Sequence, residues 1–216
     1  MLGHVKIAIF PDGLVYDPRD HTTFVSDEVR DWEAVIDART GRLRRRIPLG
    51  GDAGNVQYDP VLRQVLVDVG ERAQLALIDP HSLRVVRSIQ LPGCDHDHGL
   101  YLDPPHRLAF ITCDANNKLL LLDLKTMKVV QTDDVGKTPD VLDFDPRRQL
   151  LYVAAESGVV SVFAERARRL VKLGQGFLAD HAHSVAVDPR SGNVYFPLEN
   201  IGGHPVLRVM RPIARR

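Results

Sequence analysis

Two short stretches concentrate the side chains able to hold a metal ion or move a proton. They are Cys94-Asp95-His96-Asp97-His98 and Asp180-His181-Ala182-His183. Each contains a His-x-His pair. On extended backbone, residues i and i+2 point the same way, so His96 and His98 are expected to share a face, as are His181 and His183. A pair of neutral imidazoles is half of a site for zinc, copper, nickel or iron. Asp140 and Asp12 are the carboxylates expected to complete it. Asp95, Asp97 and Asp180 are placed to accept from the outer ring nitrogens.

The elements that carry these residues recur. Asp-Pro occurs at 17–18, 59–60, 103–104, 145–146 and 188–189, with spacings of 42, 44, 42 and 43 residues. Before each pair stands a short apolar or alternating run, such as Leu100-Tyr101-Leu102 or Val185-Ala186-Val187. Proline presets the backbone for a turn and aspartate caps it. Further strand-like runs follow in every repeat, for example Leu108–Thr112, Leu119–Asp123 and Lys128–Thr132. No repeat has room for a helix of about 10–12 residues. Four short strands in about 43 residues, repeated radially, predict an all-β fold, a β-propeller of four-stranded blades.

The repeats run at about 11–52, 53–95, 96–137, 138–180 and 181–216, in one domain spanning 1–216. The last lacks its fourth strand. Residues 3–10, with the strand-like Val5–Ile9, are expected to supply it and so close five blades at the termini. The competing expectation is a larger propeller of which this chain is part.

Several repeats resemble the YVTN repeat of YncE-like propellers. The residues concerned are Leu150–Ala155 with Gly158–Phe163, and Lys118–Asp123 with Lys125–Val130. Thr138-Pro139-Asp140-Val141 and Pro11-Asp12-Gly13-Leu14 are similar to that family's Pro-Asp-Gly/Ala-Val start of the innermost strand. The resemblance covers nearly the whole chain and implies a fold, not an activity. It also implies that relatives are commonly seven-bladed and often exported. Five repeats and the absence of a recognisable signal peptide depart from that pattern, and the latter reads as cytoplasmic.

The phase of the repeat brings the polar residues together. Five positions before each Asp of Asp-Pro stand Asp12, Gly54, His98, Asp140 and His183. Two positions earlier stand Phe10, Asp52, His96, Thr138 and His181. Innermost strands line the central channel, so these sets form rings at its mouth. The second strands end at Asp27, Asp68, Asp114, Glu156 and Glu199, which are expected to rim the same mouth. Cys94 and Cys113 are too few for a disulfide framework. They belong to one blade and both fall near this mouth, where they read as small apolar residues, with a thiol pair or two soft ligands as the alternative.

Composition narrows the function. Lys+Arg and Asp+Glu are both 28, giving zero formal charge, so nothing points to nucleic acid. The basic run Arg42–Arg46 reads as a solvated edge strand. No run of about 18 apolar residues forms a membrane span. Phosphate loops, dinucleotide fingerprints, Gly-x-Ser-x-Gly and His-Glu-x-x-His are absent from the sequence. The favoured reading is a non-catalytic propeller with a His/Asp-lined channel that takes a divalent ion and binds a small molecule or protein at its mouth. One alternative is a metal-dependent hydrolase, lactonase or lyase, with His181 or Glu156 as base. Another is a scaffold for protein interaction.

Overall fold

The computed structural model describes residues 5–213. The first blade comprises β1 (Pro11–Asp17), β2 (Thr22–Asp27), β3 (Trp32–Asp37) and β4 (Arg42–Pro48). The second comprises β5 (Ala53–Asp59), β6 (Gln64–Val69), β7 (Gln74–Asp79) and β8 (Arg84–Gln90). The third comprises β9 (Asp97–Asp103), β10 (Leu108–Cys113), β11 (Lys118–Asp123) and β12 (Lys128–Asp134). The fourth comprises β13 (Pro139–Asp145), β14 (Leu150–Ala155), β15 (Val159–Arg166) and β16 (Arg169–Phe177). The fifth comprises β17 (Ala186–Val187), β18 (Val194–Ile201) and β19 (His204–Met210). Every sheet is an antiparallel meander in chain order. The chain is therefore a five-bladed, all-β propeller.

Asp-Pro sets the first turn of each blade as expected. Asp59 accepts from the Val61 and Leu62 amides at 2.8 and 3.1 Å. Asp17, Asp145 and Asp188 cap the equivalent turns through Arg19, Arg147 and Arg190. Asp59 is wholly buried, and its second oxygen takes Arg107 of the third blade at 2.6 Å. The turn of one blade is thereby tied to its neighbour.

Hydrophobic clusters lie between successive blades. Phe24 and Val35 of the first meet Val56, Val65 and Val67 of the second. Leu66, Leu75 and Leu77 meet Leu100, Ala109 and Ile111. Phe110, Leu119 and Leu121 meet Leu142, Leu151 and Val153. Tyr152 and Ala154 meet Val185, Val194 and Phe196. Each fully buried large apolar side chain contributes about 1.5–3 kcal/mol. Among the described residues no cluster joins the fifth blade to the first.

The expected completion of the fifth blade is corrected. Among the described residues that sheet holds three strands, and Val5–Ile9 pairs with none of them. Residues 3 and 4 of the expected strand lie outside the described residues. The segment is held on the first blade instead. The Ile9 and Phe10 amides donate to the buried Asp27 carboxylate at 3.0 and 3.2 Å, and the Ile7 carbonyl accepts from Arg46. A buried carboxylate needs donors, and those two amides satisfy it.

Cys94 and Cys113 form a disulfide across the third blade, with Cα atoms 5.4 Å apart. The small-apolar reading of the two cysteines is corrected and the thiol-pair alternative is the one the structure shows: Cys94 directly precedes the His/Asp stretch, and Cys113 ends the strand that pairs with it. No described helix is long and apolar enough to cross a membrane.

Candidate functional site

The site lies where the innermost strands begin, and their geometry there departs from simple alternation. His96, Thr138 and His181 have φ of 60, 54 and 53°. The register of β13 then slips between Pro139 and Leu142, and the pairing of β9 slips by the same device. Such a bulge re-aims the flanking side chains. The two His-x-His pairs consequently behave differently.

His96 and His98 do not converge. Nε2 of His96 meets Asp52 at 2.6 Å and its Nδ1 meets Asp114 at 2.8 Å. The Asp114 amide donates to the His96 carbonyl, which fixes this pairing. His98 turns the other way and places Nε2 3.2 Å from Asp140 Oδ1. Asp97, between them, is buried and accepts from the Val69 and Gln74 amides, both at 3.1 Å. Asp95 and Asp180 are exposed rather than set behind a ring.

His181 and His183 do converge, on one carboxylate. Glu156 lies 3.2 Å from His181 Nδ1 and 3.3 Å from His183 Nδ1. Its backbone is set by a bond from its amide to the Thr138 carbonyl, while its side chain reaches across to the fifth blade. His183 Nδ1 also meets Asp140 Oδ2 at 2.6 Å. An alternating chain results, from His98 through Asp140, His183 and Glu156 to His181. Asp12 faces the same channel, because its charge acts on His98 and Asp140.

Of the expected rim, Asp114 and Glu156 stand at the mouth. Asp27 and Asp68 are wholly buried. Asp68 packs beside Asp97, and neither of its oxygens meets an amide or hydroxyl donor. Burial and the charge of Asp97 hold Asp68 well above the carboxylate range, and burial pushes Asp97 up to about 6. The sequence marks both residues but gives no signal that they meet.

Electrostatics at the mouth follow from the network. Burial works against charge on His98, but the hydrogen bond and charge of Asp140, with Asp12 and Asp114, lift it to about 9. Burial likewise opposes the charged form of His183, and Asp140 and Glu156 more than offset it. Burial alone raises Asp140; the bonds from His98 and His183 bring it below its ordinary value. His96 is raised by Asp114 and Asp52 against the effect of burial. Asp12 is raised by desolvation, with His98 opposing.

Ligand atoms of Asp140, Glu156 and His183 all lie within 4.8 Å of one another. Two carboxylate oxygens and one imidazole are a donor set for a divalent cation. Beside them opens a cavity of about 460 Å³, walled by His183, Pro197, Leu198, Pro205 and Leu207 with Glu199 at its rim.

No protein-family model and no curated protein matches the chain. Solved structures do match its fold. Kuenenia stuttgartiensis hydrazine synthase superposes with a TM-score of 0.75 at 16% identity, over 90% of this chain and 57% of that one. A chain of the mitotic checkpoint complex gives 0.76 at 12% identity, over 92% and 60%. A candidate 6-phosphogluconolactonase from Bacteroides uniformis gives 0.68 at 17% identity, over 92% and 71%. The chain thus spans about three-fifths of the length of the first two. Identities this low across such different proteins show a common propeller fold and nothing of activity.

Proposed function

We propose that the chain is a YVTN-type propeller that binds a divalent cation at the channel mouth through Asp140, Glu156 and His183. The observation that carries this reading is the convergence of three ligand atoms, from two blades, within 4.8 Å. His183 Nδ1 faces both carboxylates, which favour a proton on the ring. A ligating imidazole must be free of that proton, so affinity rises with pH. One imidazole and two carboxylates suit zinc, nickel or ferrous iron. Both cysteines are consumed in the disulfide, which leaves no soft thiolate for cuprous copper. His98, carrying its proton through neutral pH, orients Asp140 rather than serving as a ligand. His181 stands behind Glu156 and steadies it. His96, engaged by Asp52 and Asp114, belongs to a separate pairing.

The cavity favours a second reading, in which the cation acts on a small substrate. The ion would polarise a substrate oxygen and activate water for hydrolysis or lactone opening. His181, exposed and 3.2 Å from Glu156, would accept the proton. The candidate lactonase among the fold neighbours is consistent with this, at the level of fold analogy. The disulfide supports a location in an oxidising compartment rather than a reducing cytosol.

The test is the metal content of untagged protein. Stoichiometric zinc, nickel or iron in the wild type and its loss in His98→Ala/His183→Ala are expected. No metal, together with no rise in melting temperature on adding zinc, would sink the proposal.

A further inference from the structure

Strands β2, β6, β10 and β14 each carry one residue opposite the bulge of the innermost strand. These residues are Ser26, Asp68, Thr112 and Ala154. Thr112 shows what a polar side chain does there. Its hydroxyl accepts from the Gly99 amide at 2.9 Å and donates to the Asp140 carbonyl of the next blade at 3.2 Å. Ser26 also donates, to Glu33 at 3.1 Å. An ionised carboxyl in the same place has no proton to give.

Asp68 is wholly buried, and neither of its oxygens meets a donor. The carbonyl of the next blade lies beside it: a Cβ on Gly54 would stand 2.9 Å from the His98 carbonyl oxygen and 3.3 Å from Asp68 Cβ. The same seam holds a second departure from the repeat. Asp97 opens β9, where the first, second and fourth blades begin with Pro11, Ala53 and Pro139. It is wholly buried too. Each Asp97 oxygen takes one amide, from Val69 or Gln74, while Asp68 takes none. The two charges that act on Asp68 are those of Asp97 and Asp12, and both are negative. A buried carboxylate requires donors or a counter-charge. The side chains around Asp68 supply neither.

We propose that Asp68 and Asp97 hold a calcium ion in the seam between the second and third blades, with the His98 carbonyl as a further ligand. Every donor is an oxygen, which suits a hard cation. Calcium accepts irregular oxygen cages, whereas magnesium demands a near-ideal octahedron and keeps its waters. The ion supplies the charge that Asp68 lacks and ties β6 of one blade to β9 of the next. This site shares no ligand with Asp140, Glu156 and His183, and it does not rest on the function proposed above. A proton on Asp68 is the competitor, favoured by burial and by Asp97. Calcium affinity therefore rises with pH.

Calorimetry and thermal melts on untagged protein, stripped with EDTA and desalted, test the site at about pH 8. Calcium is expected to bind once per chain. It should raise Tm by about 5 °C or more at about a hundredfold excess over its dissociation constant. Both effects are expected to persist in His183→Ala, which spoils the mouth site, and to vanish in Asp68→Asn. The Tm of Asp68→Asn in EDTA, expected at or above that of wild type, separates lost binding from lost folding. Wild-type affinity is also expected to fall about tenfold or more between about pH 8 and 5.5, a readout that needs no variant. No heat and no rise in Tm overturn the proposal and leave a proton as the occupant of the pair. A response that persists in Asp68→Asn, disappears in His183→Ala or ignores pH overturns it as well, because the ion then sits elsewhere.

Discussion

Gly99→Ala tests how the fold positions the site. Gly99 lies on β9, where the third blade meets the fourth. A methyl group there would stand 2.0 Å from the Asp140 carbonyl oxygen and 2.4 Å from Thr112 Oγ1. Ordinary contact needs about 3.5 Å, so one inner strand must retreat by about 1.5 Å. Thr112 now accepts from the Gly99 amide at 2.9 Å and donates to the Asp140 carbonyl at 3.2 Å. Overpacking costs about 1–3 kcal/mol and a lost hydrogen bond about 1 kcal/mol. The expected destabilisation is therefore about 2–4 kcal/mol, or about 4–16 °C in Tm for a chain of this size. The same retreat carries Asp140 away from His183, so zinc affinity should fall at least about tenfold. Gly174→Ala is the control, because nothing lies within 4 Å of its added carbon; it should stay within about 0.5 kcal/mol of wild type. Urea melts and zinc calorimetry on the three proteins give the answer. A Gly99→Ala protein as stable as wild type, with unchanged zinc affinity, would refute the claim that this close approach sets Asp140.

Three further outcomes follow from the same structure. Arg107→Met leaves one oxygen of the wholly buried Asp59 without its partner and should cost about 3–5 kcal/mol in denaturant melts. Asp97 is raised from 3.8 to about 6 in the fold. Its contribution of about 3 kcal/mol is therefore full below about pH 4 and lost as pH rises through about 6. Asp68 is raised in the same sense, so Asp68→Asn, which cannot ionise, should flatten the fall in stability between about pH 4 and 8 and be no less stable at pH 8. Thiol titration of denatured, unreduced protein should find no free cysteine, and Cys94→Ser/Cys113→Ser should cost about 3 kcal/mol for the 19-residue loop that the disulfide closes.

Much of the fold was legible because the propeller repeats one local instruction. Each Asp-Pro marks a turn whose aspartate caps it, and the apolar runs before and after are the strands the structure shows. Fold neighbours at 0.75 and 0.76 agree with that reading. The fate of residues 5–10 was not legible, because an apolar run does not say which sheet it joins; the two amides taken by Asp27 decide it. The site was half legible. Phase alone brought His98, Asp140 and His183 together. The left-handed residue at position 96 and the bulge behind it turned His96 away to Asp52 and Asp114, since strict alternation fails wherever a strand gains a residue. Glu156 was legible as a rim residue, but its reach to two imidazoles of the next blade depends on packing between blades. The Asp68–Asp97 pair and the disulfide likewise join residues from different strands, which one repeat read alone does not show.

The central claim is that Asp140, Glu156 and His183 hold a divalent cation, and anomalous diffraction at the zinc edge tests it most directly. Crystals grown with zinc above neutral pH should show one strong anomalous peak at about 2.0–2.2 Å from a ring nitrogen of His183 and from oxygens of Asp140 and Glu156. A well-ordered zinc-soaked crystal with no peak there, or with its peak between Asp52, His96 and Asp114, would contradict the account.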